Sequence, residues 1–153
     1  MRIRPTHPDD VTGISEMLTA LADAGKRTRP SDPDFVRSTY VENDALVSSH
    51  VAEGESGRIL GLQVVILAGP DDPFGVPEGY GSIGTHVAPD AGRRGIGSRL
   101  FEATEAVVRQ SGLPAADASI ADDNAEGLQY YEAMGFRTDR EGAGRIVKRL
   151  SFA

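Results

Sequence analysis

The sequence predicts an α/β fold, a mixed sheet flanked by helices, with elements in the order βααβββαβαββ. Two observations carry this. β-compatible runs are joined by turn-rich tetrapeptides, Gly-Glu-Ser-Gly at 54–57 and Glu-Gly-Ala-Gly at 141–144, which is hairpin chemistry. Amphipathic patterns alternate with those runs, most clearly Ile96, Leu100, Ala103 and Val107, whose spacing puts them on one helical face. At 153 residues, 39% hydrophobic and 25% charged, the chain is long enough for one sizeable core, so one domain over 1–153 is expected.

Met1 to Pro5 alternates enough for a short strand, and Pro8-Asp9-Asp10 marks a helix start. Val11, Ile14, Met17, Leu18 and Leu21 form its apolar face, and Gly25 its end. Lys26 to Pro33 reads as a loop, a candidate wall of a substrate site, ahead of a second helical segment over 34–42. Leu46–Glu53 and Ile59–Ala68 are paired β-runs. The stretch 69–79, GPDDPFGVPEG, is too rich in Gly, Pro and Asp for regular structure and long for a hairpin connection. Asp71, Asp72, Phe74 and Glu78 are therefore candidates to contact a second substrate. Tyr80–Ala88 leads into a glycine loop and a long helix, Ala115–Ile120 is the strand after it, and Asn124 caps the next helix. Phe136–Arg140 and Arg145–Phe152 form the last hairpin.

Composition narrows the function classes. Without cysteine there is no disulfide framework, thiolate metal site or cysteine nucleophile. The start lacks the apolar core of a signal peptide and no apolar run approaches the ~20 residues of a membrane span, so a cytoplasmic protein with no membrane partner is expected. A net charge of −7 argues against general nucleic-acid binding and is compatible with a cationic or amine substrate.

The most informative stretch is Val87–Arg109, VAPDAGRRGIGSRLFEATEAVVR. Glycines at 95 and 97 let the backbone turn tightly and approach a ligand, and the amides of Arg93, Arg94, Gly95, Ile96, Gly97 and Ser98 sit at or before a helix N-terminus, where unpaired donors and the macrodipole favour an anion. A P-loop would need a lysine where Ser98 stands, and the dinucleotide pattern a glycine at Leu100. The loop with its preceding Val-Ala-Pro-Asp resembles instead the acyl-CoA loop of the GNAT superfamily of N-acyltransferases. A second stretch, Asn124–Phe136, NAEGLQYYEAMGF, is similar to that family's other motif through Asn124, Tyr131, Gly135 and Phe136.

The resemblance implies a mixed, mostly antiparallel GNAT-like sheet and an acyl-CoA-dependent N-acyltransferase. Acetyl-CoA would be the acyl donor, no metal would be needed, and an amine of a small molecule or peptide would attack directly. A non-catalytic acyl-CoA sensor of the same fold is the alternative, and a homodimer is compatible with either. Val87 and Ala88 would offer backbone groups to the pantetheine arm, Arg93 to Ser98 the pyrophosphate loop, Asn124 a contact to the cofactor arm or a water, and Tyr131 the general acid. Gly92 departs from the pattern, since the family usually has glutamine or arginine there. No carboxylate lies on the strand before the loop; His86, whose ordinary pKa near 6.5 suits the task, is the candidate base, with a water held by Glu53 or backbone groups as the other route.

Overall fold

The computed structural model describes residues 1–92 and 94–153. Along the chain run β1 (Arg2–Pro5), α1 (Val11–Asp23), α2 (Pro33–Val36), β2 (Leu46–Glu53), β3 (Ile59–Leu67), β4 (Gly81–Val87), α3 (Ile96–Ser111), β5 (Ala115–Ala121), α4 (Ala125–Ala133), β6 (Arg137–Gly142) and β7 (Arg145–Ser151). This is the order read from the sequence. The strands make one seven-stranded sheet, β1-β2-β3-β4-β5-β7-β6, antiparallel at every junction except β4–β5.

Two local readings change. The segment 34–42 is not one helix: a single α-turn capped by Asp32 runs into a π-helical turn over Arg37–Val41, closed by Glu42 N–H donating to Arg37 O. Ser38 Oγ bonds back to Asp34 O and Phe35 O, the i−4 and i−3 competition that loosens a helix, and the wider turn buries Tyr40. Phe136 does not begin β6 but closes α4. Gly135 takes the left-handed conformation (φ 103°) and Phe136 N–H donates to Tyr131 O at 2.9 Å, a Schellman-type cap with the Phe136 ring fully buried.

Strand alternation puts α1 and α2 against one face of the sheet and α3 and α4 against the other. Helix α3 lies close on β3 because Gly61 has no side chain: a Cβ there would sit 2.9 Å from Ile96 Cγ2 and 3.2 Å from Leu100 Cδ1. Phe101, Val108, Tyr131 and Phe136 then fill the space over β5. Among the described residues, no helix is long and apolar enough to cross a membrane.

Strands β3 and β4 pair over seven residues each, and β5 and β7 likewise, but β4 and β5 share only Gly81↔Ala116 and Ser82↔Asp117. Asp117, at that last shared rung, has a fully buried carboxylate. It accepts from Arg149 Nε at 2.7 Å and Nη2 at 3.1 Å, and from Arg140 Nη1 at 3.3 Å. The ion pairs tie β5 to β7 and β6 at the point where β4 departs. Removing one member of a buried pair leaves the others uncompensated, so Asp117→Ala is expected to cost about 3 kcal/mol, the lower end of the range because both arginines are partly solvated. Urea unfolding of the variant beside the unmodified chain measures this; a loss under ~0.5 kcal/mol would mean the junction does not depend on the pair.

Candidate active site

The parting of β4 from β5 opens a fork in the sheet. Ala88 N–H donates to Leu60 O and Ala68 N–H to Tyr80 O, both 2.8 Å, so even-numbered residues of β4 direct their backbone groups to β3. By antiparallel alternation Ile83, Thr85 and Val87 direct theirs the other way, and beyond Ser82 β5 no longer meets them. Val87 thus presents its backbone groups to the fork. Ala88 does not: its N–H is committed to Leu60 and its carbonyl accepts from Ala91 N–H.

The glycine loop stands at the mouth of this fork. Gly95 is left-handed (φ 71°) with open space where a Cβ would be, and it caps α3. Arg99 N–H donates to Gly95 O at 3.1 Å, so the amides of Ile96, Gly97 and Ser98 precede that bond in the first helical turn and have no carbonyl within the helix to meet. Arg94 and Ser98 are exposed beside them, while Ile96 is buried and anchors the turn. Arg93 lies outside the described residues.

Gly97 has a packing reason to be glycine. A Cβ there would come within 2.7 Å of Tyr130 Cε1, so its absence makes room for that ring, and the Tyr130 hydroxyl donates to Gly97 O at 2.7 Å. Position 97 is therefore where α4 docks on α3.

From Tyr130 a hydrogen-bond chain runs to the fork. Gln63, wholly buried on β3, donates from Nε2 to the Tyr130 hydroxyl and to Thr85 Oγ1, both 2.9 Å, and Thr85 Oγ1 lies 2.8 Å from the Tyr131 hydroxyl. Both amide hydrogens of Gln63 and the Tyr130 hydrogen are thereby used. Thr85 and Tyr131 have two hydroxyl hydrogens for the one bond between them, so one hydrogen remains to point elsewhere. Burial raises the Tyr130 phenol to about 12 and pushes Tyr131 further up, the Thr85 hydrogen bond only partly opposing it. Tyr131 is thus a neutral donor at every physiological pH.

Thr85 and His86 are successive residues and face opposite sides of the sheet. His86 is half-buried beneath Tyr40, with ring centroids 5.8 Å apart. Burial first, then the charges of Arg27 and Arg29, push its pKa down to about 3. It is not the near-neutral base that its ordinary pKa suggests. Glu53 is not free for that role either: it pairs with Arg4 at 3.1 Å and Arg2 at 3.2 Å, and the Arg4 hydrogen bond holds its carboxyl below the usual range.

Asn124 caps α4, its Oδ1 accepting from Gly127 N–H at 3.0 Å, and is exposed. In the 69–79 loop, Asp72 is structural: its Oδ2 accepts from Phe74 and Val76 amides, while Arg140 Nη2 donates to Phe74 O at 2.9 Å. Gln63 and Thr85 escape the sequence reading because both belong to ordinary strand patterns. Nothing in a one-dimensional pattern shows that they face two tyrosines on α4. No group of three or more His, Cys, Asp or Glu suited to a metal occurs among the described residues.

Comparison with known proteins bears on the fold and the family. A search of curated proteins finds no match. Solved structures do match. A GCN5-related N-acetyltransferase from Kribbella flavida shares 17% identity at TM-score 0.79, covering 98% of this chain and 96% of that one. A ribosomal-protein-alanine N-acetyltransferase from Brucella melitensis shares 20% at 0.79, covering 99% of each. A GNAT family acetyltransferase from Brucella melitensis, in complex with acetyl-CoA, shares 24% at 0.72, covering 99% and 88%. At these identities they speak to the fold. The family model described as Acetyltransferase (GNAT) family matches residues 15–136, most of the chain including the fork, the glycine loop and α4, and the chain belongs to that family.

Proposed function

We propose that the chain, as one catalytic domain over 1–153, transfers an acetyl group from acetyl-CoA to a primary amine by direct attack. The observation that carries this reading is the fork. Open backbone groups at Val87, unpaired helix amides from Ile96 to Ser98, and a neutral phenol with a hydroxyl hydrogen shared with Thr85 converge around one gap in the sheet. In the reaction a nitrogen–carbon bond forms and the carbon–sulfur bond breaks. One proton leaves the amine and one ends on the departing sulfur.

The residues divide that work. Ile96, Gly97 and Ser98 amides hold the pyrophosphate with the helix dipole behind them, and exposed Arg94 adds charge. Asn124, its Oδ1 used as a cap, retains its amide group for the cofactor arm or a water. Backbone groups of Val87 orient the arm so that an amide meets the thioester oxygen, where a preorganised donor lowers the barrier. Tyr131 faces the sulfur. Its raised pKa exceeds that of a thiol, about 8.5, so a full proton transfer from phenol to thiolate is uphill. Tyr131 therefore acts chiefly by donating a hydrogen bond to the developing thiolate. A neutral His86 on the other face can hold the amine or a water by hydrogen bonding; the proton the amine loses passes to solvent and solvent returns one to the thiolate, so none is gained or lost overall.

Two outcomes follow. Thiol release with acetyl-CoA and an amine panel is expected to show turnover, and Tyr131→Phe to cut kcat by about 10²-fold with acetyl-CoA affinity nearly unchanged. Tyr130→Phe strands Gly97 O and one Gln63 hydrogen. It should instead cost about 1–2 kcal/mol of stability and change kcat only severalfold. Equal small effects on turnover from both would remove Tyr131 from the chemistry. Second, with the His86 pKa at about 3, the kcat/KM profile between about pH 5 and pH 9 should follow the deprotonation of the acceptor amine, and His86→Gln should lower its height without changing its shape. A limb near pH 6.5 that disappears in His86→Gln would restore the histidine as the base.

A further inference from the structure

The 26–32 loop holds a cationic feature that the transfer chemistry leaves unused. Arg27 is half-buried, with Nη2 donating to Pro30 O at 2.6 Å and to the Tyr40 hydroxyl at 3.2 Å. Its Cζ lies 5.9 Å from both the Phe35 and Tyr40 ring centroids, and its Nε is buried with no hydrogen-bond partner. Arg29, exposed, stands 5.3 Å from the Phe35 centroid. Among the described residues neither arginine has a carboxylate within ion-pair distance, although the chain carries 23 acidic residues. Asp32, three residues after Arg29, spends one oxygen capping α2 at Phe35 N–H.

Two guanidinium groups on one short loop, neither neutralised by a carboxylate among the described residues, attract an anion that reaches both. Their position says which molecule would bring it. Tyr40, which Arg27 touches, packs on His86, and His86 is the residue between Thr85 and Val87 on the fork. Both arginine charges are felt at His86. The α3 amides that suit a pyrophosphate lie with α4 against the opposite face, so the arginines border the fork on the side away from them.

We propose that the acceptor amine carries a carboxylate, as an amino acid does, and that Arg27 and Arg29 bind that carboxylate and so deliver the amine to the β4 edge beside His86. This rests on the transferase reading for the word acceptor, not for the anion site itself. The local positive field stands against a net charge of −7, which makes it a recognition feature and not general steering. Arg27, fixed by Pro30 and Tyr40, sets the geometry. Arg29, stacked at the rim, supplies the second charge.

Imidazole NMR of the full chain separates the possibilities. The chain has three histidines, and His86 is assigned by loss of its signal in His86→Gln. α- and ω-amino acids and their matched amides are titrated in, with and without CoA. The acids are expected to move the His86 signal saturably and at least ~10-fold more tightly than the amides, Arg29→Gln to weaken the acids by about 10-fold, and Arg29→Lys to retain most of the affinity. Acetyl-CoA affinity by calorimetry should be the same in all three proteins. The proposal is overturned if no acid moves the His86 signal, if amides bind as well as acids, or if Arg29→Gln weakens acetyl-CoA instead, which would make the arginines part of the CoA site. If the unmodified chain takes up no acetyl-CoA, the transferase reading fails, and the titration still decides the anion site.

Discussion

The parallel junction between β4 and β5 is the constraint on which the site depends. Each strand is held on its outer side by an antiparallel partner over seven residues, so its twist and register are set by that partner and not by its neighbour across the junction. Two twisted half-sheets can then meet only over a short stretch, and they share two rungs. The consequence is a strand edge with unpaired backbone groups in the middle of a sheet, a position normally closed to ligands. Asp117 and its two arginines hold one tine of the fork; the seven-residue pairing with β3 holds the other.

What fills the fork on one face is a set of side chains bonded in sequence from Gly97 through Tyr130, Gln63 and Thr85 to Tyr131. The chain links the start of α3, which carries the anion-binding amides, to the hydroxyl nearest the gap. A shift of α3 is therefore felt at Tyr131 through fixed hydrogen bonds. Tyr130, adjacent in sequence to Tyr131, braces α4 on α3 through its bonds to Gly97 and Gln63.

The two faces of the fork differ in kind. On the α3 and α4 side the groups are neutral donors and helix amides, suited to a phosphate-bearing donor and a departing sulfur. On the other side the half-buried imidazole of His86 sits under Tyr40 with two guanidinium groups beyond it. Successive residues Thr85 and His86 place these two sets of groups on opposite faces of one strand by alternation alone.

By itself the sequence determined the element order, the hairpin turns, the helix caps at Asn124 and Gly135, and the two motifs around Gly95 and Tyr131, because each is written in residues a few positions apart. Only the tertiary structure decided that Phe136 belongs to a helix cap, that 34–42 breaks into two kinds of turn, and that Ala88 spends its amide on β3. Gly97 is the sharpest case: its sequence context says ligand, whereas its glycine nature is required by a ring 33 residues away. The same holds for Gln63 and Thr85, unremarkable in their strands until α4 is laid across them, and for His86, whose pKa is pushed down by burial and by arginines nearly 60 positions earlier. Burial, alternation and long-range partners arise from packing, and packing is not local in the chain.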